Sequence, residues 1–201
     1  MNLKIALTDL FLKKLWASVR SQIETAVEPG CGGIALLGDS ITHLGKWDLL
    51  FPRIATRNFG ISGERSGHLL ARLEPIVATR PSQLFILIGT NDLGVGLGVA
   101  EIATNVDALV EQLRTRLPEC AIHLQSVMPR ARRFAQRIGA LNQRYREIAE
   151  RRGVGFIDLF PIFDDGTGQL RADFTDDVLH LNGAGYHAWR VVLEPLVLGP
   201  R

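Results

Sequence analysis

The chain has 201 residues, of which 46% are apolar and 22% charged, and these proportions are typical of a globular protein with a buried core. They exclude a disordered, collagen-like or fibrous chain. The formal net charge of +2 is too small to indicate nucleic-acid or membrane binding by itself. Two cysteines make no disulfide framework and have no zinc-site spacing. No apolar run approaches the roughly 20 residues of a membrane span, so none is predicted.

The N-terminal segment is predicted to form a short amphipathic helix. Apolar residues recur at helical spacing from Leu7 to Leu15, and charged residues interrupt the apolar stretch that a signal peptide needs. We expect residues 1–30 to pack as this helix against a single domain formed by residues 31–201. Without a signal peptide, the protein is expected to be cytoplasmic, with both thiols reduced.

Five apolar segments along the rest of the chain predict β-strands. The run from Gln83 to Ile88 is the clearest, because it is continuous, as in strands buried on both faces of a parallel sheet. The predicted strand segments are residues 33–37, a second segment ending with 57–59, and then 83–88, 121–127 and 155–159.

Apolar residues at helical spacing separate these strands and close the chain. The predicted helical segments run from Leu69 to Val77, from Ile102 to Leu117, from Phe134 to Ile148 and from Tyr186 to Leu196. Strands that alternate with helices predict an α/β domain, with a parallel sheet covered by helices on both faces. In such open sheets, ligands bind beyond the carboxyl ends of the strands.

A serine follows the first predicted strand, in the sequence Gly38-Asp39-Ser40. A hydroxyl at a strand-to-helix turn is well placed to act as a nucleophile near the positive end of the helix. The alternative is that Ser40 is only the N-cap of that helix.

The loops after the second and third strands carry candidate hydrogen-bond donors at the same end of the sheet. Gly63 has no Cβ, so a ligand can approach its N–H closely, and the Asn91 amide supplies another donor. An acyl-transfer enzyme needs such donors for the developing oxyanion. The alternative is that both residues simply form turns.

An aspartate and a histidine three residues apart precede the last predicted helix, for which Asn182 is a good N-cap. This spacing lets the Asp177 carboxylate hold one nitrogen of the His180 ring and leave the other free as a base. The alternative is that Asp177 caps a turn and His180 is a surface residue.

Together these four blocks are more specific than any one of them. Gly-Asp-Ser, Asn-x-Gly-x-x-Gly, Gly-x-Asn-Asp and Asp-x-x-His occur in this order between Gly38 and His180. The combination resembles the SGNH hydrolase superfamily, the GDSL esterase/lipase group. Its nearest resemblance is to members close to platelet-activating-factor acetylhydrolase catalytic subunits and bacterial acylesterases.

The resemblance implies a flavodoxin-like, three-layer α/β/α fold with a five-stranded parallel sheet in the order 2-1-3-4-5. It implies Ser40 as the nucleophile, Asp177 and His180 as the rest of a catalytic triad, and an oxyanion hole formed by Ser40, Gly63 and Asn91. No cofactor and no metal ion is implied.

The sequence departs from the family pattern at two positions. Ile41 stands where the GDSL name has leucine, and Glu64 stands where many members have aspartate. Neither departure touches an implied catalytic role. In the implied strand order the third strand separates Cys31 from Cys120, so a disulfide between them is not expected.

Further substrate contacts are predicted near the strand ends, at Asp39, His43, Leu93, Val95 and Arg130. The apolar, glycine-rich stretch 93–99 is expected to be mobile and to shape a small acyl pocket, unless it merely packs on the following helix. Arg130 is expected either to meet an anionic leaving group or to be solvated with the other arginines of 130–152.

These observations predict a metal-independent serine esterase that favours short acyl groups, with a small-molecule ester as its partner. The alternative substrates are long-chain lysophospholipids or thioesters, and carbohydrate O-acetyl esters. A flavodoxin-like module that binds phosphate or flavin is the non-enzymatic alternative. Nucleic-acid binding through the arginine-rich segment is not expected, because acidic residues dilute it and no aromatic residues interleave. A homodimer is compatible with the sequence.

Overall fold

The structure is a computed structural model, and it describes residues 16–198. The helical pattern predicted from Leu7 to Leu15 therefore lies outside the described residues. Residues 16–26, at the end of the predicted N-terminal segment, form a helix (α1). Among residues 16–198, no helix combines the length and the apolar character needed to cross a membrane.

Five parallel strands form one sheet, and each overlaps a predicted strand segment. Hydrogen bonding places them in the order β2-β1-β3-β4-β5, which confirms the expected topology. The strands are β1 (Ile34–Gly38), β2 (Thr56–Gly60), β3 (Gln83–Leu87), β4 (Ala121–Gln125) and β5 (Gly155–Ile157).

Helices cover both faces of the sheet. They are α2 (Ser40–Leu44), α3 (Trp47–Leu50), α4 (Ser66–Leu69), α5 (Glu74–Thr79), α6 (Thr90–Val95), α7 (Val99–Arg116), α8 (Ala135–Arg152), α9 (Phe160–Phe163) and α10 (Gly183–Leu198). The single helix predicted from Leu69 to Val77 is instead divided between α4 and α5. Pro75 lies in the first turn of α5. Because proline has no N–H, it fits the start of a helix but not its interior.

The alternation of side chains along the strands creates two apolar cores, one on each face. In β3, Leu84 and Ile86 face the core beneath α4, α5, α7 and α8, whereas Phe85 and Leu87 face the core beneath α2, α3, α9 and α10. All four side chains are at most 3% exposed. The three layers of the expected α/β/α architecture thus follow from the central strands β1 and β3, whose apolar side chains are buried on both faces of the sheet.

The sheet register brings the ends of the first three strands to one edge. Gly38, the last residue of β1, lies opposite Gly60 of β2 and Leu87 of β3. A Cβ on Gly60 would lie 2.3 Å from the backbone nitrogen of His43, so only glycine lets α2 cross so closely over β2. The loops that follow these three strands are therefore neighbours.

Candidate active site

Ser40 is the first residue of α2 and lies at this edge. The N-cap of α2 is Asp39, whose Oδ1 accepts a hydrogen bond from the Ile41 N–H at 3.0 Å. The cap role considered for Ser40 therefore belongs to Asp39. Ser40 keeps its hydroxyl for another partner, and that partner is His180, whose Nε2 lies 3.0 Å from Ser40 Oγ.

Asp177 holds His180 through both carboxylate oxygens. Its Oδ1 accepts backbone N–H groups from Leu179 at 2.9 Å and His180 at 2.7 Å, and its Oδ2 lies 2.7 Å from His180 Nδ1. Turn capping and imidazole binding, treated as alternatives in the sequence, are thus done by the same side chain. With the ring proton on Nδ1, the lone pair of Nε2 faces the Ser40 hydroxyl.

Hydrogen bonds keep Asp177 ionised. Partial burial is the largest single influence on the pKa of Asp177 and raises it. Hydrogen bonds from the His180 ring and from the backbone of His180 and Leu179 lower the pKa and together outweigh burial. The net result lowers the pKa of Asp177 to about 2. Asp177 therefore carries a negative charge at neutral pH and can stabilise a protonated imidazole at His180.

A threonine that sequence reasoning missed supports this turn. Thr175 Oγ1 donates to the His180 carbonyl at 2.6 Å, and the same oxygen accepts the Asp177 N–H at 3.3 Å. Val178, inside the turn, has a φ of 57°, in the left-handed region that β-branched residues avoid. Such a conformation costs roughly 1–3 kcal/mol and persists where surrounding contacts impose it. The available signal was a threonine two residues before the aspartate.

The two other candidate oxyanion donors come from the loops after β2 and β3. Gly63 has a φ of 80°, which favours glycine, and its N–H donates no hydrogen bond within residues 16–198. Asn91 lies in the first turn of α6, and its Nδ2 donates to the Glu64 carbonyl at 2.9 Å. One amide hydrogen of Asn91 is used to orient the side chain, and the other remains for a ligand.

Contacts on both sides of Gly63 hold its loop in place. Nδ1 of His43 lies 3.3 Å from the Ser62 nitrogen and 2.9 Å from Ser62 Oγ, and the Trp16 indole donates to the Ser62 carbonyl at 2.9 Å. Burial lowers the pKa of His43, which favours the neutral ring that accepts the Ser62 N–H. His43 thus links the helix of Ser40 to the loop of Gly63, and its contact with substrate stays a prediction.

A buried ion-pair cluster anchors the other side of the loop. Glu64 is fully buried, and its carboxylate accepts a hydrogen bond from Arg72 at 2.6 Å and from Arg20 of α1 at 2.8 Å. Arg72 also donates to the Phe59 carbonyl at 2.7 Å, which ties the cluster to β2. Glu64 therefore has a positioning role, since its carbonyl orients Asn91, although its side chain lies outside the candidate site.

The structure does not leave Asp39 and Leu93 available as substrate contacts, because both are 1% exposed. Burial raises the pKa of Asp39 to about 7, and its Oδ2 has no hydrogen-bond partner within residues 16–198. Leu93 faces the core because α6 makes this stretch helical. Val95 and Arg130 remain half-buried near the site.

The stretch expected to be a mobile acyl-binding loop is held to α8. Arg137 of α8 donates to the carbonyls of Leu93, at 3.3 Å, and Leu97. The Leu93 carbonyl lies in the last turn of α6, where it also accepts the Gly96 N–H at 3.2 Å, and the Leu97 carbonyl lies just beyond the helix. Residues 93–95 thus end α6, residues 96–98 connect it to α7, and Arg137 holds this connection to α8.

Within residues 16–198, no group of three His, Cys, Asp or Glu side chains is arranged to hold a metal ion. The strand order and the flanking helices define an α/β protein of the GDSL type, with its polar residues at the carboxyl edge of the sheet. The chain belongs to the GDSL-like Lipase/Acylhydrolase family, whose model matches residues 36–188.

Individual relatives agree with this assignment. Platelet-activating factor acetylhydrolase IB subunit alpha2 from Homo sapiens is 27% identical over 163 residues, covering 76% of this chain and 70% of that protein. A Streptococcus pneumonia protein provisionally described as a platelet activating factor is similar in structure, with a TM-score of 0.85 and 29% identity over 98% of this chain and 100% of that one. An acetyl-xylooligosaccharide esterase from Geobacillus Stearmophilus shares the fold, with a TM-score of 0.68 and 19% identity over 86% and 97% of the two chains.

Proposed function

We propose that this protein is a serine esterase that hydrolyses carboxylic esters with short acyl groups. The observation that carries the proposal is the continuous hydrogen-bonded arrangement from Ser40 Oγ to His180, at 3.0 Å, and from His180 to Asp177, at 2.7 Å. Membership of a lipase/acylhydrolase family supports the same reaction class. A small-molecule ester is the proposed partner.

In the proposed mechanism, Ser40 Oγ attacks the ester carbonyl carbon while His180 Nε2 takes the hydroxyl proton. The N–H groups of Ser40 and Gly63 and the Asn91 amide stabilise the oxyanion of the tetrahedral intermediate. The intermediate collapses to an acyl-enzyme as His180 returns the proton to the leaving alcohol. Water then repeats the sequence, with His180 as base, and the carboxylic acid leaves. Asp177 stays ionised and stabilises the imidazolium in both halves.

The non-enzymatic alternatives explain fewer of the contacts. A phosphate-binding module would use the loop at Ser40 but would leave the alignment of Asp177 with His180 without a role. Nucleic-acid binding would need unpaired arginines on α8, yet Arg152 pairs with Asp107 at 2.7 Å. Such pairing reduces the positive potential that a phosphate backbone would meet.

A carbohydrate O-acetyl ester is the second candidate substrate class. The acetyl-xylooligosaccharide esterase with the same fold favours it, although its identity to this chain is only 19%. The exposure of Asp177 and His180, whose side chains are 52% and 36% exposed, is compatible with a bulky alcohol reaching the site from solvent.

The experiment that tests the proposed function is active-site labelling with a fluorophosphonate, followed by peptide mapping. We expect one label per chain, on Ser40, together with turnover of p-nitrophenyl acetate and of at least one acetylated sugar. Bound flavin, or labelling of a different serine, would contradict the proposal.

Replacing Asn91 by alanine should lower kcat on the order of 10²–10³-fold, because one oxyanion donor is lost in the transition state. KM should change little. Steady-state kinetics on p-nitrophenyl acetate measures both constants, with Gln143→Ala on the exposed side of α8 as the amide control. An effect confined to KM would assign Asn91 to ground-state binding instead.

Short acyl groups should be preferred, from acetyl to about hexanoyl. Leu93 turns into the core, and Val95 is half-buried, so α6 offers little apolar surface on which a long chain gains the full ~0.8 kcal/mol per CH₂. The measurement is kcat/KM for p-nitrophenyl acetate, butyrate, octanoate and palmitate below micelle-forming concentrations. If octanoate or palmitate exceeds acetate and butyrate by about tenfold, a long-chain lysophospholipase or thioesterase is the better assignment.

A further inference from the structure

Arg130, beyond the carboxyl end of β4, is held rigidly beside a candidate oxyanion residue. Its Nη1 donates to the Thr90 carbonyl at 2.9 Å, and Thr90 directly precedes Asn91. Its guanidinium carbon lies 4.1 Å from the ring centroid of Phe134. Its own carbonyl accepts the Leu170 N–H at 3.2 Å. The guanidinium is therefore fixed before any ligand arrives.

Within residues 16–198, no carboxylate lies within ion-pair distance of Arg130, unlike the arginines in the second half of α8. Arg146 pairs with Asp158 at 2.8 Å, and Arg152 pairs with Asp107 at 2.7 Å. The Nε of Arg130 is buried without a hydrogen-bond partner in this part of the chain. A partly desolvated cation without a counter-ion is costly, and a bound anion would offset that cost.

Charged groups on both sides of the candidate site act on Arg130. Burial and the nearby Arg133 lower the pKa of Arg130, whereas Asp39 and Asp177 raise it. Asp39 directly precedes Ser40, and Asp177 holds His180. The geometric link to the candidate site is the Thr90 contact, which places the guanidinium beside the residue that precedes Asn91.

We propose that Arg130 binds an anionic group, a carboxylate or a phosphate, that the ester substrate carries close to its scissile bond. The planar guanidinium suits either anion, since it donates two parallel hydrogen bonds. This inference rests on the proposed esterase function and names the chemical class of its substrate. Arg130 then selects charged esters over neutral ones of the same shape.

The test compares matched pairs of neutral and charged esters. For an anion on the alcohol side, the pair is methyl 4-acetoxybenzoate and 4-acetoxybenzoate; for one on the acyl side, it is the methyl and the free-acid forms of p-nitrophenyl glutarate. The variants are Arg130→Gln, Arg130→Lys and the control Arg133→Gln, an exposed arginine whose guanidinium carbon lies 4.9 Å from the same Phe134 ring. Thermal melting curves establish that each variant is folded.

We expect the wild-type protein to favour the charged ester of one pair by about tenfold to a hundredfold in kcat/KM. Arg130→Gln should remove that preference, so that kcat/KM falls about tenfold or more further for the charged ester than for its neutral partner. Arg130→Lys should keep part of the preference, and Arg133→Gln should keep all of it. The pair that shows the preference identifies the side of the substrate that carries the anion.

Two results would overturn the inference. One is no charge preference in either pair. The other is an equal loss on neutral and charged esters in Arg130→Gln, which would mean that Arg130 acts only by holding Thr90 and the start of α6. Absence of turnover for all four esters in the wild-type protein is a different failure, because it contradicts the proposed esterase function itself.

Discussion

A Ser40→Ala variant should lose ester hydrolysis by about 10⁴-fold or more in kcat, with its fold unchanged. The reason is geometric, since the hydroxyl of Ser40 is the group that lies 3.0 Å from His180 Nε2. Without that oxygen no acyl-enzyme forms, and only the oxyanion donors remain to assist attack by water. The measurement is kcat on p-nitrophenyl acetate, with burst-phase kinetics to follow acyl-enzyme formation.

Ser82→Ala is the matched control for this prediction. Ser82 is exposed at the amino end of β3, at the opposite edge of the sheet, where its hydroxyl donates to the Gly33 carbonyl at 3.0 Å. We expect this variant to retain wild-type turnover. Equal turnover by Ser40→Ala at matched purity would contradict the mechanism.

A His180→Ala variant should lose nearly as much, about 10⁴-fold in kcat, because His180 is the base that contacts Ser40 Oγ among residues 16–198. The loss of kcat in Asp177→Asn should be smaller than that in His180→Ala by at least about tenfold. Asparagine still caps the turn through one oxygen, and the Asp177 side chain is 52% exposed, so water partly replaces its carboxylate. A larger loss in Asp177→Asn than in His180→Ala would contradict these roles.

The pH profile distinguishes His180 from two neighbouring carboxyl groups. Activity should fall at acid pH, because only a neutral imidazole accepts the Ser40 proton. Asp177, with a pKa of about 2, stays ionised from weakly acid to neutral pH and adds no limb to the profile. Asp39, with a pKa of about 7 raised by burial, titrates in this range. Asp39→Asn preserves the helix N-cap and removes that titration, so an acid limb that survives in this variant does not come from Asp39.

The outcome of the pH experiment is decisive in either direction. A flat profile from acid to neutral pH in the wild-type protein would argue against a histidine base. If the acid limb disappears in Asp39→Asn, Asp39 is the group whose ionisation controls activity. The rate should be measured as kcat/KM, which reports the ionisations of the free enzyme.

Helix α1 bears on the same reaction through the loop of Gly63. Trp16 binds the Ser62 carbonyl and Arg20 binds the Glu64 carboxylate, so one helix contacts the residue on each side of Gly63. The described end of the N-terminal segment therefore helps to position a candidate oxyanion donor. The sequence offered no such role, because the contacts join residues separated by more than forty positions.

The stretch 93–99 differs from the expected loop because it is held by tertiary contacts that composition does not reveal. The stretch 93–99 contains three glycines, which favour a loop, yet α6 extends to Val95 and its exit is fixed by Arg137 of α8. The helix turns Leu93 inward, so an apolar residue near the site became part of the core. Tertiary contacts from α8 outweighed the local glycine preference.

The sequence by itself determined the sheet and which polar residues lie at its carboxyl edge. The continuous apolar run from Gln83 to Ile88 predicted a strand buried on both faces, and β3 is such a strand, because its alternate side chains fill two separate cores. The four motif blocks also predicted which loops hold Ser40, Asn91 and His180. Loops after parallel strands meet at one edge whatever the details of their packing, so these predictions depended only on strand order.

Only the tertiary structure decided how each of these side chains is held and which neighbours remain free. Hydrogen-bond partners such as Glu64 for Asn91, or Thr90 for Arg130, lie 27 and 40 positions apart and meet because β1, β2, β3 and β4 end side by side. Tertiary packing also decides which side chains are buried. It buries the N-cap Asp39, and it leaves the Nε of Arg130 buried without a hydrogen-bond partner among residues 16–198. Both properties depend on three-dimensional neighbours, which residue type and spacing do not specify.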